Sequence, residues 1–369
     1  MIRELTPAQL RRARWLSLGL GVERQPSAGA VVDRLGALQG QDLPGVLHSL
    51  AIRLERATVD DISREFDDKT LVRGWPMRGT LHVLRAEDLR PLTRITRKRV
   101  LGSMAGRARA LNITDAEIDD VMLSVSDDLI SSGPVTRAEL RDSVGRAYHG
   151  GPSSQTVSHL IYRLAVSGTI CHGPFRDGQQ LIVHTDSWIG HRAESDAEEF
   201  LARMLRRFVS GHGPVSDADA ARWFGLPLTT IRAARTRLGD AICTVETTSG
   251  PQWMVTGAET EQILASLHRR PPVRLLPGFD EFMLGYGDRS FAVPEQFLDE
   301  IVPGGNGMFR ATVCSGASVI GTWSKAKKRG AVAVAPFSDV TPSMKNAIRV
   351  AAREVERVTG NQVTVQFPD

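Results

Sequence analysis

Apolar positions in the middle of this chain recur at helical spacing, and each helical block is followed by two short apolar runs around a polar turn. From Ser153 to Val166 the apolar side chains Val157, Leu160, Ile161 and Leu164 fall on one helix face. Behind them come Thr169-Ile170-Cys171, the turn Arg176-Asp177-Gly178, and Leu181-Ile182-Val183, which predict a β-hairpin. The same order returns after Leu226 to Leu238, with Ala241-Ile242-Cys243, Ser249-Gly250-Pro251 and Trp253-Met254-Val255. Each block has a matching start: Gly133-Pro134-Val135-Thr136 and, eighty residues later, Gly213-Pro214-Val215-Ser216. Thr136 and Ser216 stand as N-caps, with Glu139 and Asp219 three positions on. Helix, helix, hairpin is the order of a winged helix, and two copies of it predict a duplicated DNA-binding unit. Cys171 and Cys243 occupy equivalent places in the first hairpin strand and read as small buried hydrophobes.

The N-terminal third repeats the plan less regularly. Thr6 caps a predicted helix through Leu18 and Ser27 another to Leu38, followed by 43–54 and 59–66. Leu71 to Trp75 and Gly79 to Leu84 predict a hairpin, and a long helix starts at Ala86 and runs to about Met104. After Arg269-Arg270-Pro271-Pro272, a linker, strands are expected near 309–314, 318–323, 331–335 and 362–367, with a helix over 342–358. The expected fold class is therefore α+β: three tandem winged-helix domains and a small C-terminal β-rich domain. The boundaries are 1–110, 111–190, 191–258 and 259–369.

Charge adds a partner to this picture. The net charge of +4 on 369 residues is modest. Its distribution is uneven: Arg78, Arg85, Arg90, Arg94, Arg97, Lys98, Arg99, Arg107 and Arg109 precede a run of carboxylates from Asp115 to Asp128. Such a basic stretch suits tracking of a phosphate backbone, or it forms a solvated helix balanced by the acidic segment. Lys325, Lys327, Lys328 and Arg329 form a second basic turn with the same two readings. Three scattered cysteines argue against a disulfide framework or a zinc site and fit a reducing cytoplasm. No membrane span or signal peptide is read from the hydropathy. No phosphate-binding loop, dinucleotide fingerprint or metal-ligating motif is present, so no cofactor is expected.

Several stretches point beyond a regulator of transcription. These are Leu38-Gln39-Gly40-Gln41-Asp42, Arg78-Gly79-Thr80-Leu81-His82, Leu275 through Tyr286 with Asp288-Arg289-Ser290, and Gly321-Thr322-Trp323. In this order the set resembles the AlkZ/YcaQ-like winged-helix DNA glycosylases, over nearly the whole chain. The resemblance implies a C-shaped channel around duplex DNA, excision of N-alkylated purines, and unhooking of interstrand crosslinks. It also implies that Gln39 and Gln41 match a Gln-aliphatic-Gln motif that supports hydrolysis of the glycosidic bond. Here Gly40 replaces the aliphatic residue, which loosens the backbone that aims the two amides.

The chemistry is compatible with two amides. An amide both accepts from and donates to water, and so holds it for attack at the anomeric carbon. A purine alkylated at N7 or N3 already carries positive charge and leaves without further protonation. Asp42 is the nearest group able to act as a base or to face an oxocarbenium-like sugar. Read from spacing alone, the same residues make a polar helix C-terminus ended by Gly40. Candidate DNA contacts are Arg78, His82, Arg94, Arg97, Lys98, Arg99, Lys325, Lys327 and Lys328. His82 reads equally as a structural hydrogen-bond partner. Asp280 and Glu281, in an apolar setting, are candidates for catalysis, but the structural reading, with Arg289 as the salt-bridge partner, is preferred. The expected partner is double-stranded DNA bearing alkylated purines, bound by a monomer in the cytoplasm at the nucleoid. Two alternatives stand beside this: a transcription regulator reading bases through Ser153, Ser154, Gln155 and Ser158, and a damage binder without catalysis.

Overall fold

A computed structural model of the chain describes residues 4–56, 58–190, 196–326 and 330–368. Two compact units are present, one from the residues up to Ile62 together with those from Ala202 on, the other from Ser63–Leu201.

The first unit opens with β1 (Glu4–Leu5), α1 (Pro7–Ser17), α2 (Ala28–Leu35), the short extended β2 (Leu38–Gln39) and α3 (Leu43–Ala51). Thr6 and Gln9 form a reciprocal capping box at α1, with Pro7 in the first turn where a missing N–H has no helical partner to lose. Ser27 caps α2 as expected, but the helix stops before Leu38. Gly36 takes φ 82° and ends it. The glycine that terminates this helix is thus Gly36, not Gly40, and Leu38–Gln39 is extended as a result.

The second unit continues through α4 (Val59–Asp67), β3 (Leu71–Met77), β4 (Thr80–Arg85), α5 (Ala86–Ala110), α6 (Asp115–Ser132), α7 (Arg137–Ala147), α8 (Ser154–Ser167), β5 (Ile170–Arg176), β6 (Gln179–His184) and α9 (Thr185–Ile189). Read for charge alone, 115–128 is only an acidic stretch. Its Ile118, Val121, Val125 and Leu129 recur at helical spacing and are buried, so the carboxylates line the outside of α6. These side chains pack with Leu140 and Val144 of α7 and Leu160 and Leu164 of α8 into one core. The antiparallel hairpins β3–β4 and β5–β6 meet where Arg73 faces His172.

The chain then forms α10 (Ala197–His212), α11 (Asp217–Phe224), α12 (Leu228–Leu238), β7 (Ile242–Thr247), β8 (Gly250–Val255) and α13 (Ala258–Ala265). Both repeated motifs build the same start. Thr136 with Glu139, and Ser216 with Asp219, close capping boxes on α7 and α11. The valine of each motif also exchanges two backbone hydrogen bonds with the second hairpin strand, Val135 with Ile182 and Val215 with Trp253. β1 adds in parallel to β7, and Leu5, Ala13, Val245, Met254 and Ile263 share a core.

The C-terminal part contains β9 (Arg274–Leu276), α14 (Glu281–Leu284), α15 (Leu298–Ile301), β10 (Ala311–Ser315), β11 (Ser318–Lys325), β12 (Ala331–Pro336), α16 (Pro342–Thr359) and β13 (Thr364–Gln366). Its sheet runs β13-β12-β11-β10-β9. The β12–β13 pair is parallel and the others are antiparallel. Ile348, Ala352 and Val355 of α16 cover Leu275, Val313, Val332 and Val334. Among the described residues no helix is long and apolar enough to cross a membrane.

Candidate functional site

Gln39 sits in β2 at 9% exposure, and its backbone N–H donates to the Glu281 carboxylate at 3.1 Å. Glu281 opens α14 and is itself 1% exposed. Its other oxygen receives the Trp223 indole N–H at 3.0 Å and faces His212 Nε2 at 3.2 Å. His212 Nδ1 lies 3.2 Å from the Phe208 carbonyl, which only accepts, so that nitrogen carries a proton. The ring therefore holds one proton against Phe208 and meets Glu281 with its other nitrogen. Phe208 stacks on His212 at 4.5 Å between ring centroids and Trp223 closes the group at 5.0 Å from Phe208. A buried carboxylate with several donors is a rigid clamp, because releasing it strands each donor without water. Two stretches far apart in sequence, 38–42 and 275–286, are joined here by one carboxylate.

Asp280, the residue before, makes a separate knot. Arg53 reaches it with both terminal nitrogens, at 2.8 and 3.0 Å, and the Ser49 hydroxyl donates at 2.6 Å. Burial alone would push the Asp280 carboxyl up. The Arg53 guanidinium, through its charge and its hydrogen bonds, outweighs that with help from Ser49 and the Phe282 N–H, and holds the carboxyl below its usual range. The salt-bridge partner is thus Arg53 of the N-terminal region, not Arg289. Arg289 instead donates to the Met283 carbonyl and lies 4.9 Å from the Phe309 ring centroid. Both acids are buried and engaged by neighbouring side chains, Asp280 by Arg53 and Ser49 and Glu281 by Trp223 and His212. His48, next to Ser49, is buried against Trp323, and burial lowers its imidazole to about 4.

Gln41 and Asp42 emerge from this buried base into solvent. Asp42 holds the N-cap position of α3 in extended conformation, but its side chain makes no capping hydrogen bond. A Cβ at Gly45 would stand 2.5 Å from the Asp42 carboxylate, so glycine there is what lets that carboxylate lie against the first turn. The Gln39 backbone is anchored, while Gln41 is exposed.

Within the second unit, Arg78 and Gly79 form the tip of the β3–β4 hairpin, with φ 55° and 69°. A side chain on Gly79 would strike the Tyr162 hydroxyl, which donates to the Gly79 carbonyl at 2.8 Å. His82 is fully buried. Its Nδ1 donates to the Thr80 carbonyl at 2.9 Å, which leaves Nε2 to accept from the Arg78 guanidinium at 3.0 Å. The ring thereby aims Arg78. α5 carries Arg94 half-buried and Arg97, Lys98 and Arg99 exposed, with Arg94, Arg97 and Lys98 at helical spacing. Lys325 is exposed at the end of β11, while Lys327, Lys328 and Arg329 lie outside the described residues. Of the base-reading candidates, Ser153 caps α8, Arg107 donates to Gln155 at 2.8 Å, and Arg141 lies against Ser154 and Ser158.

Sequence reasoning did not single out His212, Trp223 or Arg53. His212 immediately precedes the second Gly-Pro motif, and Arg53 is a lone cation in the apolar run 43–54, which is the signal that a buried partner exists.

The fold thus holds two helix-helix-hairpin copies, and Gln39 is anchored on a buried carboxylate. Comparison with known proteins makes this specific. The chain matches the family described as DNA glycosylase AlkZ-like over residues 32–358. It belongs to that family, and so to the DNA glycosylases. It is 25% identical over 350 residues to an interstrand DNA cross-link repair glycosylase from Streptomyces sahachiroi, covering 91% of this chain and 92% of that protein. The solved structure of the Streptomyces sahachiroi DNA glycosylase AlkZ superposes with a TM-score of 0.79 at 24% identity, over 99% of this chain and 100% of the other.

Proposed function

We propose that the protein hydrolyses the N-glycosidic bond of cationic N7- or N3-alkylated purines in duplex DNA, including purines tied into interstrand crosslinks. In this reading the repeated segments are winged helices that grip the duplex, and Gln39 and Gln41 hold the attacking water. The observation that carries it is the clamp of Glu281 on the Gln39 backbone: a solvent-facing polar stretch would not need a buried acid from the other end of the sequence to fix its position. The anchor also answers the loss of the aliphatic residue at Gly40, since the backbone freedom of glycine is limited by a hydrogen bond on the residue before it.

The step proposed is simple in its accounting. Water oxygen bonds to C1′, the C1′–N9 bond breaks, and its electron pair returns to the purine, whose positive charge is neutralised. The water proton passes to Asp42 or to solvent. Orientation by two amides and stabilisation of the oxocarbenium-like sugar supply the rate, without strong acid catalysis. Crosslinked substrates are included because the named relative repairs them. Duplex containing N7-methylguanine is the test: free base and abasic sites are expected, and DNA binding without base release would overturn this reading. Gln39→Ala and Gln41→Ala are expected to lower excision by about ten-fold or more while affinity changes little.

A further inference from the structure

The two helix-helix-hairpin copies carry opposite charge at one equivalent place. The first helical residue after the Gly-Pro-Val-Thr/Ser start is Arg137 in the first copy and Asp217 in the second. In the second copy that acid answers the cations of the next helix, meeting Arg235 at 2.9 Å and Arg232 at 3.6 Å. The first copy has a cation there instead, and its arginines are held by neutral groups. Arg107, exposed on α5, donates to the Gln155 side-chain oxygen at 2.8 Å. Arg141, on α7, donates to the Ser154 and Ser158 hydroxyls at 3.3 and 3.4 Å. Ser154, Gln155 and Ser158 all lie on α8, so one guanidinium from α5 and one from α7 are tied to the same helix.

Among the described residues neither Arg107 nor Arg141 makes an ion pair with a carboxylate. α8 itself carries no acid. Of the two acids on α7, Glu139 closes the capping box with Thr136, and Asp142 is exposed. His159, one turn after Gln155, registers the local field. Burial first, then Arg163 and Arg107, lower its imidazole, and no carboxylate raises it. The neutral partners have a second consequence: Ser154, Gln155 and Ser158 are the α8 side chains able to read base edges, and each is engaged by an arginine. Arginine's planar donor fork matches a phosphate, and phosphate contacts position a protein without specifying sequence. We infer that α8 meets duplex DNA without reading it: Arg107 and Arg141 each take a backbone phosphate, and the α8 side chains aim them. The inference rests on the reading that the repeated segments grip DNA, and is independent of what the glutamines do.

The test uses the full chain with Arg107→Gln, Arg141→Gln, Arg107→Lys and, from the second copy, Arg235→Gln. Binding of several undamaged duplexes of unrelated sequence is followed by fluorescence anisotropy across salt concentration. Arg107→Gln and Arg141→Gln are each expected to lower the magnitude of the slope of log K against log salt by about one, and to weaken every sequence by the same factor. Arg107→Lys, which keeps the charge, restores the slope. Arg235→Gln, whose charge Asp217 already answers, moves it less. Arg137→Asp, which gives the first copy the acid of the second, also lowers the slope and carries the test if Arg141→Gln does not fold. Wild-type binding with an unchanged slope in the glutamine variants overturns the inference and leaves the DNA reading standing, whereas a wild-type chain that binds no duplex overturns both. A loss confined to some sequences shows that α8 reads bases and overturns the inference as well.

Discussion

The two copies of the Gly-Pro-Val motif start identically and are then put to different work. In the first, Glu139 is exposed and, among the described residues, its side-chain hydrogen bonds are those of the capping box with Thr136. In the second, Asp219 is 7% exposed, closes the same box with one oxygen, and takes the Gly287 N–H with the other at 2.8 Å. The positions eighty residues apart diverge in the same direction. Asp128 and Ser143 are joined by a 2.7 Å hydrogen bond, whereas their counterparts Phe208 and Trp223 are aromatic rings in tilted contact, 5.0 Å between centroids. Ser132 is exposed, whereas its counterpart His212 is buried on Glu281. In the first copy these positions carry polar contacts; in the second they carry aromatic side chains, of which Trp223 and His212 meet the Glu281 carboxylate. The two copies share their start and differ at a few inward positions, which in the second carry the contacts to Glu281.

This difference can be broken by substitution. The largest effect is expected for Glu281→Ala, which strands the Gln39 N–H, the Trp223 indole and the His212 imidazole at once and lowers stability by about 3–5 kcal/mol in urea denaturation. Arg53→Met, leaving Asp280 buried without its cation, should fall in the same range of about 3–5 kcal/mol. A loss below about 1 kcal/mol in either would show that these knots do not hold the fold.

Acid should expose the site region next. The folded His48 imidazole lies near 4 against about 6.5 when unfolded, so stability is whole above about 6.5 and falls as pH drops toward 4, by on the order of 3 kcal/mol. His48→Gln should flatten the stability profile across that window. Asp280, whose carboxyl is also held low, stabilises the fold at every pH above the ordinary carboxylate range, and that stability is lost only at lower pH, as the solution falls from that range through its lowered value. Last come the caps. Asp219→Ala should cost more than Glu139→Ala, since only Asp219 also holds Gly287, and Thr136→Ala should cost about 1 kcal/mol with no effect on base excision. Equal losses for Asp219→Ala and Glu139→Ala would remove the contrast between the copies.

The elements legible in the sequence are those written over three or four residues. Thr6, Thr136 and Ser216 mark their helices, and the hairpins after α8 and α12 follow from alternation and turn residues. The motif set 38–42, 78–82, 275–290 and 321–323 was enough to point to the family. What stayed hidden is long-range. Glu281 lies 242 positions from Gln39 and Arg53 lies 227 from Asp280, and no local pattern pairs them. Arg289 looked the natural partner for Asp280 because it is near in sequence, but the chain turns it toward Met283 and Phe309. The end of α2 was misplaced for a related reason: Gly36 and Gly40 are equally good stops on paper, and only the packing of the chain selects the first. His82 was read beside Arg78, and the structure gives that pairing a tautomer and a direction.

The central claim is that Glu281 acts on excision through Gln39. A double-mutant cycle of Glu281→Gln and Gln39→Ala, read as single-turnover release of N7-methylguanine from duplex DNA with affinity measured alongside, tests it most directly. The account predicts that Glu281→Gln slows release by about ten-fold or more at nearly unchanged affinity, and that it adds little further loss once Gln39 is alanine. Losses that simply multiply, or a folded Glu281→Gln protein that releases base at the wild-type rate, would contradict it.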